Sequence, residues 1–443
     1  LAWMGRLAGL GMGGILADDM GLGKTVQTLG MLQVLGGQSL VGCPSSLVQN
    51  WVAEAGKFVP GLKAVAIEGP KRAKVLAANG DADLLVTSYA LLRQDAAVWQ
   101  EREFKVVVLD EAQQIKNADA QVSKAVCRLR AAHRFALTGT PLENSVRDLW
   151  SIMNFVSPGY LGGRKEFDER FAKPLTEGVG GPVQRRLAMR LKPVLLRRMK
   201  QEVAKDLPEK IEQVVYCDLN KKQRSMYEAL LKAGRESIDD AEGGRKRMIA
   251  LTALLRLRQA CCDLRLLNPE VEDGSVKLER IEQLVAEAVE GGHRVLVFSQ
   301  FVQMLQVLVP MLGERGWNFC YLDGSTKNRS EVVRRFQEDN SIPVFLISLK
   351  AGGVGLNLTG ADTVIHVDPW WNPAVEAQAT DRAHRIGQDR VVTSYKLIAR
   401  DTVEEKILAL QERKRAVLAA TLETGRGEGG VNLTAEEIFT LFE

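Results

Sequence analysis

The sequence predicts an α/β fold of two parallel-sheet lobes with helical insertions between them, on three observations. Short apolar, β-branched runs alternate with helical patterns from residue 14 to about residue 140. A second series of the same kind begins near residue 276. Between them, over roughly 145–272, strand signals give way to helical, basic sequence broken by Glu177-Gly178-Val179-Gly180-Gly181 and Glu242-Gly243-Gly244.

Taken in order, the first lobe opens with Ile15-Leu16-Ala17, followed by strands at Ser39 to Cys43, Ala64 to Ile67, Leu84 to Thr87, Lys105 to Leu109 and Phe135 to Thr138. Ile211 to Leu219 is expected to return to this lobe and complete its sheet, with one helical insertion before it and another after it. The second lobe starts with a helix in which Leu278, Ile281, Leu284, Val285, Ala288 and Val289 keep helical spacing until Gly291 stops it. Strands follow at Arg294 to Phe298, Phe319 to Leu322, Val344 to Ser348, Thr363 to Val367 and Val391 to Leu397. Thr402-Val403-Glu404-Glu405 and Thr434-Ala435-Glu436-Glu437 have the spacing of capping boxes, so each should start a C-terminal helix. The expected division is therefore 1–219 for the first lobe, with an insertion at about 145–205, and 220–272 for a second insertion and linker. The second lobe takes 273–410, and helices packing across the lobes take 411–443.

Composition narrows the class. Hydrophobic residues at 46% and charged residues at 26% describe a globular chain, and 443 residues exceed one ordinary domain. With 59 Lys and Arg against 55 Asp and Glu, the net charge is only +4, so any basic footprint must be local. Cys43, Cys127, Cys217, Cys261, Cys262 and Cys320 show no C-x-x-C spacing and read as buried free thiols. Val295 to Leu312 lacks charges but carries Ser299, Gln300, Gln303, Gln306 and Pro310, so it reads as strand, turn and helix and not as a membrane span.

The chemistry is carried by two motifs. Asp18-Asp19-Met20-Gly21-Leu22-Gly23-Lys24-Thr25 follows an apolar run and opens a helix, so Gly21 and Gly23 allow backbone N–H groups to face phosphates. Lys24 would reach the β- and γ-phosphates and Thr25 would hold Mg²⁺. Asp18 stands where this pattern has its first glycine. Asp110-Glu111-Ala112-Gln113 ends the buried run Lys105 to Leu109, where open α/β sheets bind ligands. Asp110 suits the Mg²⁺ shell, and Glu111 suits positioning and deprotonating the attacking water.

With Gln378-Ala379-Thr380-Asp381-Arg382-Ala383-His384-Arg385-Ile386-Gly387-Gln388 and Asp368-Pro369-Trp370-Trp371-Asn372-Pro373, these motifs resemble the SWI/SNF-type ATPases. The likeness extends to Pro44–Trp51, Thr87-Ser88-Tyr89, Leu137–Asn144, Asp323-Gly324-Ser325-Thr326 and Ser348–Leu358. It implies two RecA-like lobes, ATP and Mg²⁺ as cofactors, and double-stranded DNA as partner, with DNA-bound proteins as remodelling targets. It also implies that Gln378, Arg382 and Arg385 face the nucleotide from the second lobe, where Gly355 also belongs to the ATP site. The arginines would act as fingers on the γ-phosphate, so lobe closure would couple chemistry to motion.

By the same resemblance, Ser45, Asn50, Thr87, Ser88, Thr138, Thr140, Gln300, Ser325, Thr326, Ser348, Lys350 and Gly352 contact DNA or couple it to ATP. Turn chemistry is the alternative for the hydroxyl residues. Trp371 either touches the duplex groove or, like Trp370, packs at the strand end. Among the basic clusters, Arg245-Lys246-Arg247 and Arg413-Lys414-Arg415 read as solvated faces, whereas Arg197-Arg198-Met199-Lys200 resembles a basic family element. His133, His293, His366 and His384 read as structural.

The implied enzyme is a monomeric DNA-dependent ATPase that translocates on duplex DNA and remodels or displaces bound proteins without separating strands. A strand-separating helicase and a DNA-binding scaffold with a weak motor are the alternatives. No membrane role is expected. The family's adenine-pinching Tyr-Gln segment would precede Leu1, so the chain reads as the core of a longer bacterial or archaeal protein. Its expected location is cytoplasmic and nucleoid-associated, or nuclear in a eukaryote.

Overall fold

The computed structural model describes residues 1–443 apart from 140–145, 177–179, 205, 272–274, 353–355, 413–434 and 443. Described residues up to 204 form one compact unit, and those from 206 onward form a second.

The first unit holds seven strands: β1 (Gly14–Leu16), β2 (Ser39–Cys43), β3 (Ala64–Ala66), β4 (Leu84–Ser88), β5 (Glu103–Asp110), β6 (Arg130–Leu137) and β7 (Leu195–Leu196). They lie in the order β3-β4-β2-β5-β6-β1-β7, and every pairing is parallel. β2 and β4 are buried along their length and β5 over Val106–Leu109, as parallel sheets with helices on both faces require. Helix Val146–Val156 shows how a face is covered: Leu149, Ile152, Met153, Phe155 and Val156 are all buried against this core. Leu195–Leu196 extends the sheet at an edge that no apolar run had marked.

The second unit holds six strands: β8 (Lys210–Cys217), β9 (Val295–Ser299), β10 (Phe319–Leu322), β11 (Val344–Ser348), β12 (Thr363–His366) and β13 (Val392–Ala399). They lie in the order β10-β11-β9-β12-β13-β8, again all parallel. The segment Val295 to Leu312 is strand β9, a turn, and the start of helix Val302–Glu314. No helix among the described residues is long and apolar enough to cross a membrane.

One strand assignment needs correction. The run expected to complete the first sheet is β8, and it pairs with β13 in the second, from Lys210 opposite Val392 to Cys217 opposite Ala399. Length decides this. β13 offers eight residues for an eight-residue strand, whereas β7 at the corresponding edge of the first sheet offers two. The first unit consequently ends before β8, and the boundary expected at residue 219 moves to about 205.

After β13 a helix runs over 403–412, and its start departs slightly from the expected box. The Thr402 hydroxyl accepts the Glu404 N–H at 3.1 Å, but Glu405 reaches back to the Asp401 N–H at 2.7 Å and not to that of Thr402. Thr434 lies outside the described residues; the helix Ala435–Thr440 is present, and Ile438, Leu441 and Phe442 pack with Leu254 and Leu257 inside the second unit.

Candidate active site

The phosphate loop joins β1 to the helix Lys24–Leu35. Gly21 and Gly23 adopt φ of +86° and +72°, a region that disfavours any side chain, and so turn the chain sharply into the helix. The Lys24 ammonium donates to the carbonyls of Asp18 at 2.6 Å and Asp19 at 3.2 Å. Burial lowers its pKa, while the charges of Glu111 and Asp110 pull the other way. Thr25 is half-buried in the first helical turn.

Asp18 has a structural role that its place in the motif did not suggest. Its carboxylate is fully buried and accepts from the Arg198 backbone N–H at 3.0 Å and from the Arg198 guanidinium. Gln27 joins them, accepting from Arg198 at 2.8 Å and donating to the Leu22 carbonyl at 3.0 Å. Asp19 accepts the Lys200 N–H at 3.0 Å. A segment 180 residues away therefore braces the loop from beneath. Arg198 serves this brace, which distinguishes it from the exposed Arg245.

At the end of β5, the Asp110 carboxylate accepts the Trp51 indole N–H at 2.9 Å through one oxygen and the Glu111 N–H at 2.9 Å through the other. Burial, then the adjacent Glu111 charge, pushes the Asp110 carboxyl up to about 7. Glu111 is a non-glycine residue at φ +51° and ψ +53°, a conformation that costs roughly 1–3 kcal/mol and turns its side chain out of the strand line. Its carboxylate accepts from Gln113 at 2.8 Å, and Gln113 accepts from the buried Thr138 hydroxyl at 3.1 Å. The β6 loop also meets the phosphate loop, since a Cβ on Gly139 would lie 2.9 Å from Met20.

The donor set fits Mg²⁺. A hydroxyl and carboxylates are hard oxygen ligands, and burial with the adjacent Glu111 charge disfavours the ionised Asp110, a penalty that a divalent cation would relieve. Thr25 and Asp110 would hold the ion.

In the second unit, Gln378 is half-buried on the helix Pro373–Thr380. Arg382 is buried and its carbonyl accepts the Leu358 N–H at 3.0 Å; Arg385 is half-buried and donates to the Leu356 carbonyl at 3.3 Å. Gln388 holds this turn by donating to the carbonyls of Thr359, Ala361 and Ala383. Gly355 and Thr140 lie outside the described residues.

The residues assigned to DNA differ in availability. Ser45 and Lys350 are exposed. Asn50 is half-buried and donates to Glu54 at 2.9 Å. Thr87 is buried and donates to the Ile67 carbonyl at 2.8 Å, and Ser88 caps the helix Tyr89–Gln94 through the Leu91 N–H. Ser325 and Thr326 bond to the Asp323 carboxylate, and Ser348 accepts the Ala351 N–H at 3.3 Å. Gly352 has no room for a side chain, because a Cβ would lie 2.6 Å from Phe298. Gln300 is half-buried, with its N–H donating to Asp368 at 3.2 Å. Trp371 packs at 4.2 Å on the Arg258 guanidinium and Trp370 at 5.7 Å, so both tryptophans take part in packing at the end of β12. Three of the histidines make hydrogen bonds, His293 to Asp362, His366 to Thr380 and His384 to the Pro208 carbonyl, whereas His133 on β6 buries its Nδ1 without one. Cys43, Cys217, Cys261, Cys262 and Cys320 are buried free thiols, and Cys127 is half-buried.

Residues 1–266 match the SNF2-related domain, and residues 276–387 match the helicase conserved C-terminal domain. A putative ATP-dependent helicase/translocase of Bacillus subtilis is 37% identical over 99% of this chain and 50% of its own length. A SWI/SNF-related regulator of chromatin, subfamily A member 1, of Homo sapiens is 36% identical over 96% of this chain and 43% of its own length. The chain thus spans half or less of these two relatives. The Sulfolobus solfataricus SWI2/SNF2 ATPase core, solved in complex with double-stranded DNA, is 37% identical over 100% of this chain and 95% of its own, with a TM-score of 0.48. The matched domains cover most of the sequence, and the chain belongs to the SNF2 family of helicase-like ATPases.

Proposed function

We propose that the chain is a DNA-dependent ATPase that translocates on double-stranded DNA and remodels or displaces proteins bound there, without separating the strands. The observation that carries this reading is the convergence of Lys24, Asp110 and Glu111 at the ends of β1 and β5, linked through Gln113 to Thr138 after β6. Lys24 binds the β- and γ-phosphates once its ammonium leaves the Asp18 and Asp19 carbonyls. Glu111 orients the attacking water and accepts its proton, with Gln113 fixing one carboxylate oxygen. Bound Mg²⁺ supplies charge neutralisation on the phosphate oxygens. By the family's pattern, Arg382, Arg385 and Gln378 are the second-unit residues assigned to the transferring phosphoryl group.

Family membership supports DNA-bound proteins as targets, and duplex DNA is the partner in the Sulfolobus complex. The proposed contacts meet the phosphate backbone, so binding should show little sequence preference and fall steeply with salt. ATP hydrolysis measured without nucleic acid, with single strands and with duplex tests the reading. Duplex should stimulate most, and a tailed duplex should stay paired while ATP is consumed. Equal stimulation by single strands, or unwinding of the duplex, would replace it with the strand-separating alternative.

A further inference from the structure

We infer that Trp51, assisted by Tyr89, is a positioning residue that ties the nucleic-acid-facing segments of the first unit to the Asp110 carboxylate. The inference rests on the reading of Asp110 as the metal ligand. Trp51 is 1% exposed, and its indole N–H donates to one carboxylate oxygen of Asp110 at 2.9 Å across 59 positions of sequence. Tyr89 is 8% exposed, and its hydroxyl donates to the Asp110 carbonyl at 2.7 Å. With the Glu111 N–H on the other carboxylate oxygen, both carboxylate oxygens and the carbonyl of Asp110 each accept a named donor.

The two aromatics come from different elements. Trp51 lies on the helix Val48–Phe58 after β2, one residue beyond Asn50. Tyr89 follows Ser88 at the end of β4 and reaches past β2 to β5, which lies on the far side of β2 in the sheet. Each is thus the immediate neighbour of a residue assigned to DNA. A buried indole N–H needs an acceptor, but a backbone carbonyl would satisfy it. Pairing it with a carboxylate assigned to the metal is the arrangement by which outer groups orient a ligand, and loss of such partners typically weakens metal binding about 10- to 100-fold. Indole and phenol have only two side-chain torsions each, so a shift of Asn50 or Ser88 would be passed to Asp110 with little slack.

The test uses the full chain with Mn²⁺ as an EPR-visible probe, a non-hydrolysable ATP analogue, and duplex DNA present or absent. Trp51→Phe removes the N–H and should weaken Mn²⁺ binding about tenfold or more. In the parent chain duplex DNA should change the Mn²⁺ affinity, and Trp51→Phe should reduce that change. Val48→Ala removes buried methyl groups from the same helix and no bond to Asp110; it should lower thermal stability and leave Mn²⁺ binding intact. Equal Mn²⁺ loss in Val48→Ala and Trp51→Phe, parent-like behaviour of Trp51→Phe, or no DNA effect in the parent chain would overturn the inference. Should Trp51→Phe fail to fold, Tyr89→Phe carries the test, and parent-like Mn²⁺ binding and DNA response there would count against it. Asp110→Asn separates the two readings: if it binds Mn²⁺ like the parent, Asp110 is no metal ligand, whereas if it loses Mn²⁺ and Trp51→Phe does not, the positioning role alone fails.

Discussion

Asp110 and Asp368 occupy similar places in the two units, one at the end of β5 and the other two residues beyond β12, yet their surroundings are opposite. Burial raises both carboxyls above the ordinary range. At Asp368 the opposing charge is already present: Arg258 donates at 3.3 Å, and Ser299 and the Gln300 N–H complete its bonds. At Asp110 the neighbour is another carboxylate, and the closest donors are an uncharged indole and a backbone N–H. The second unit closes its buried charges internally, as Lys277 and Glu404 also do at 2.7 Å with neither side chain exposed. The first unit closes Asp18 in the same way with Arg198, but at the end of β5 Asp110 and Glu111 crowd each other and meet the Lys24 charge only through space. That crowding, rather than the presence of buried acids, marks where a cation would be held.

Substitutions on the crowded side should strike activity. Lys24→Ala should abolish both ATP binding and turnover, whereas Glu111→Gln should bind ATP normally and lose turnover by on the order of 10³-fold. Nucleotide titration beside a turnover assay separates them, and near-normal turnover in Glu111→Gln would remove the proposed base. Arg385→Ala should keep DNA binding and lose roughly 10³-fold of DNA-stimulated turnover. A large loss of DNA affinity in a gel-shift titration would instead make Arg385 a DNA ligand.

On the compensated side the effects should be on stability. Asp368→Asn strands the buried Arg258 and should destabilise the second unit by about 3–5 kcal/mol, read from urea unfolding. His366 extends the contrast to pH. Burial lowers its pKa to about 4, below the unfolded value of 6.5, and it bonds to Thr380 as a neutral ring. Its contribution is therefore present above pH 6.5 and is lost as pH falls towards 4. Between pH 7.5 and 5 the loss should approach about 2 kcal/mol, and His366→Gln should show a shallower pH slope. An unchanged slope would remove His366 as the sensor.

The smallest effect tests the comparison most directly. Asp110→Asn removes one of two crowded carboxylates, so it should stabilise the first unit in the absence of metal, on the order of 1 kcal/mol at pH 8, while ending catalysis. If Asp110→Asn and Asp368→Asn destabilise alike, the two sites do not differ as described.

Local chemistry determined much of this molecule. Parallel strands buried on both faces must be nearly continuous apolar runs, so β2, β4, β5, β9, β11 and β12 were visible to within one or two residues at their ends, and the glycines and Lys24 of the phosphate loop announced themselves by type and spacing. Partner choice was not visible. β8 reads as a strand in any context, but only the free eight-residue edge of β13 decides which sheet receives it. β7 is two residues long and carries too little pattern to detect. Asp18 departs from the motif by type, and its role shows only in its bonds to Arg198, 180 residues away; Trp51 belongs by sequence to the Pro44–Trp51 segment, and its bond to Asp110 shows only in the fold. Residue type and spacing report what a side chain can do. Burial and long-range hydrogen bonding, which exist only once the chain has closed, decide which of those capacities is used.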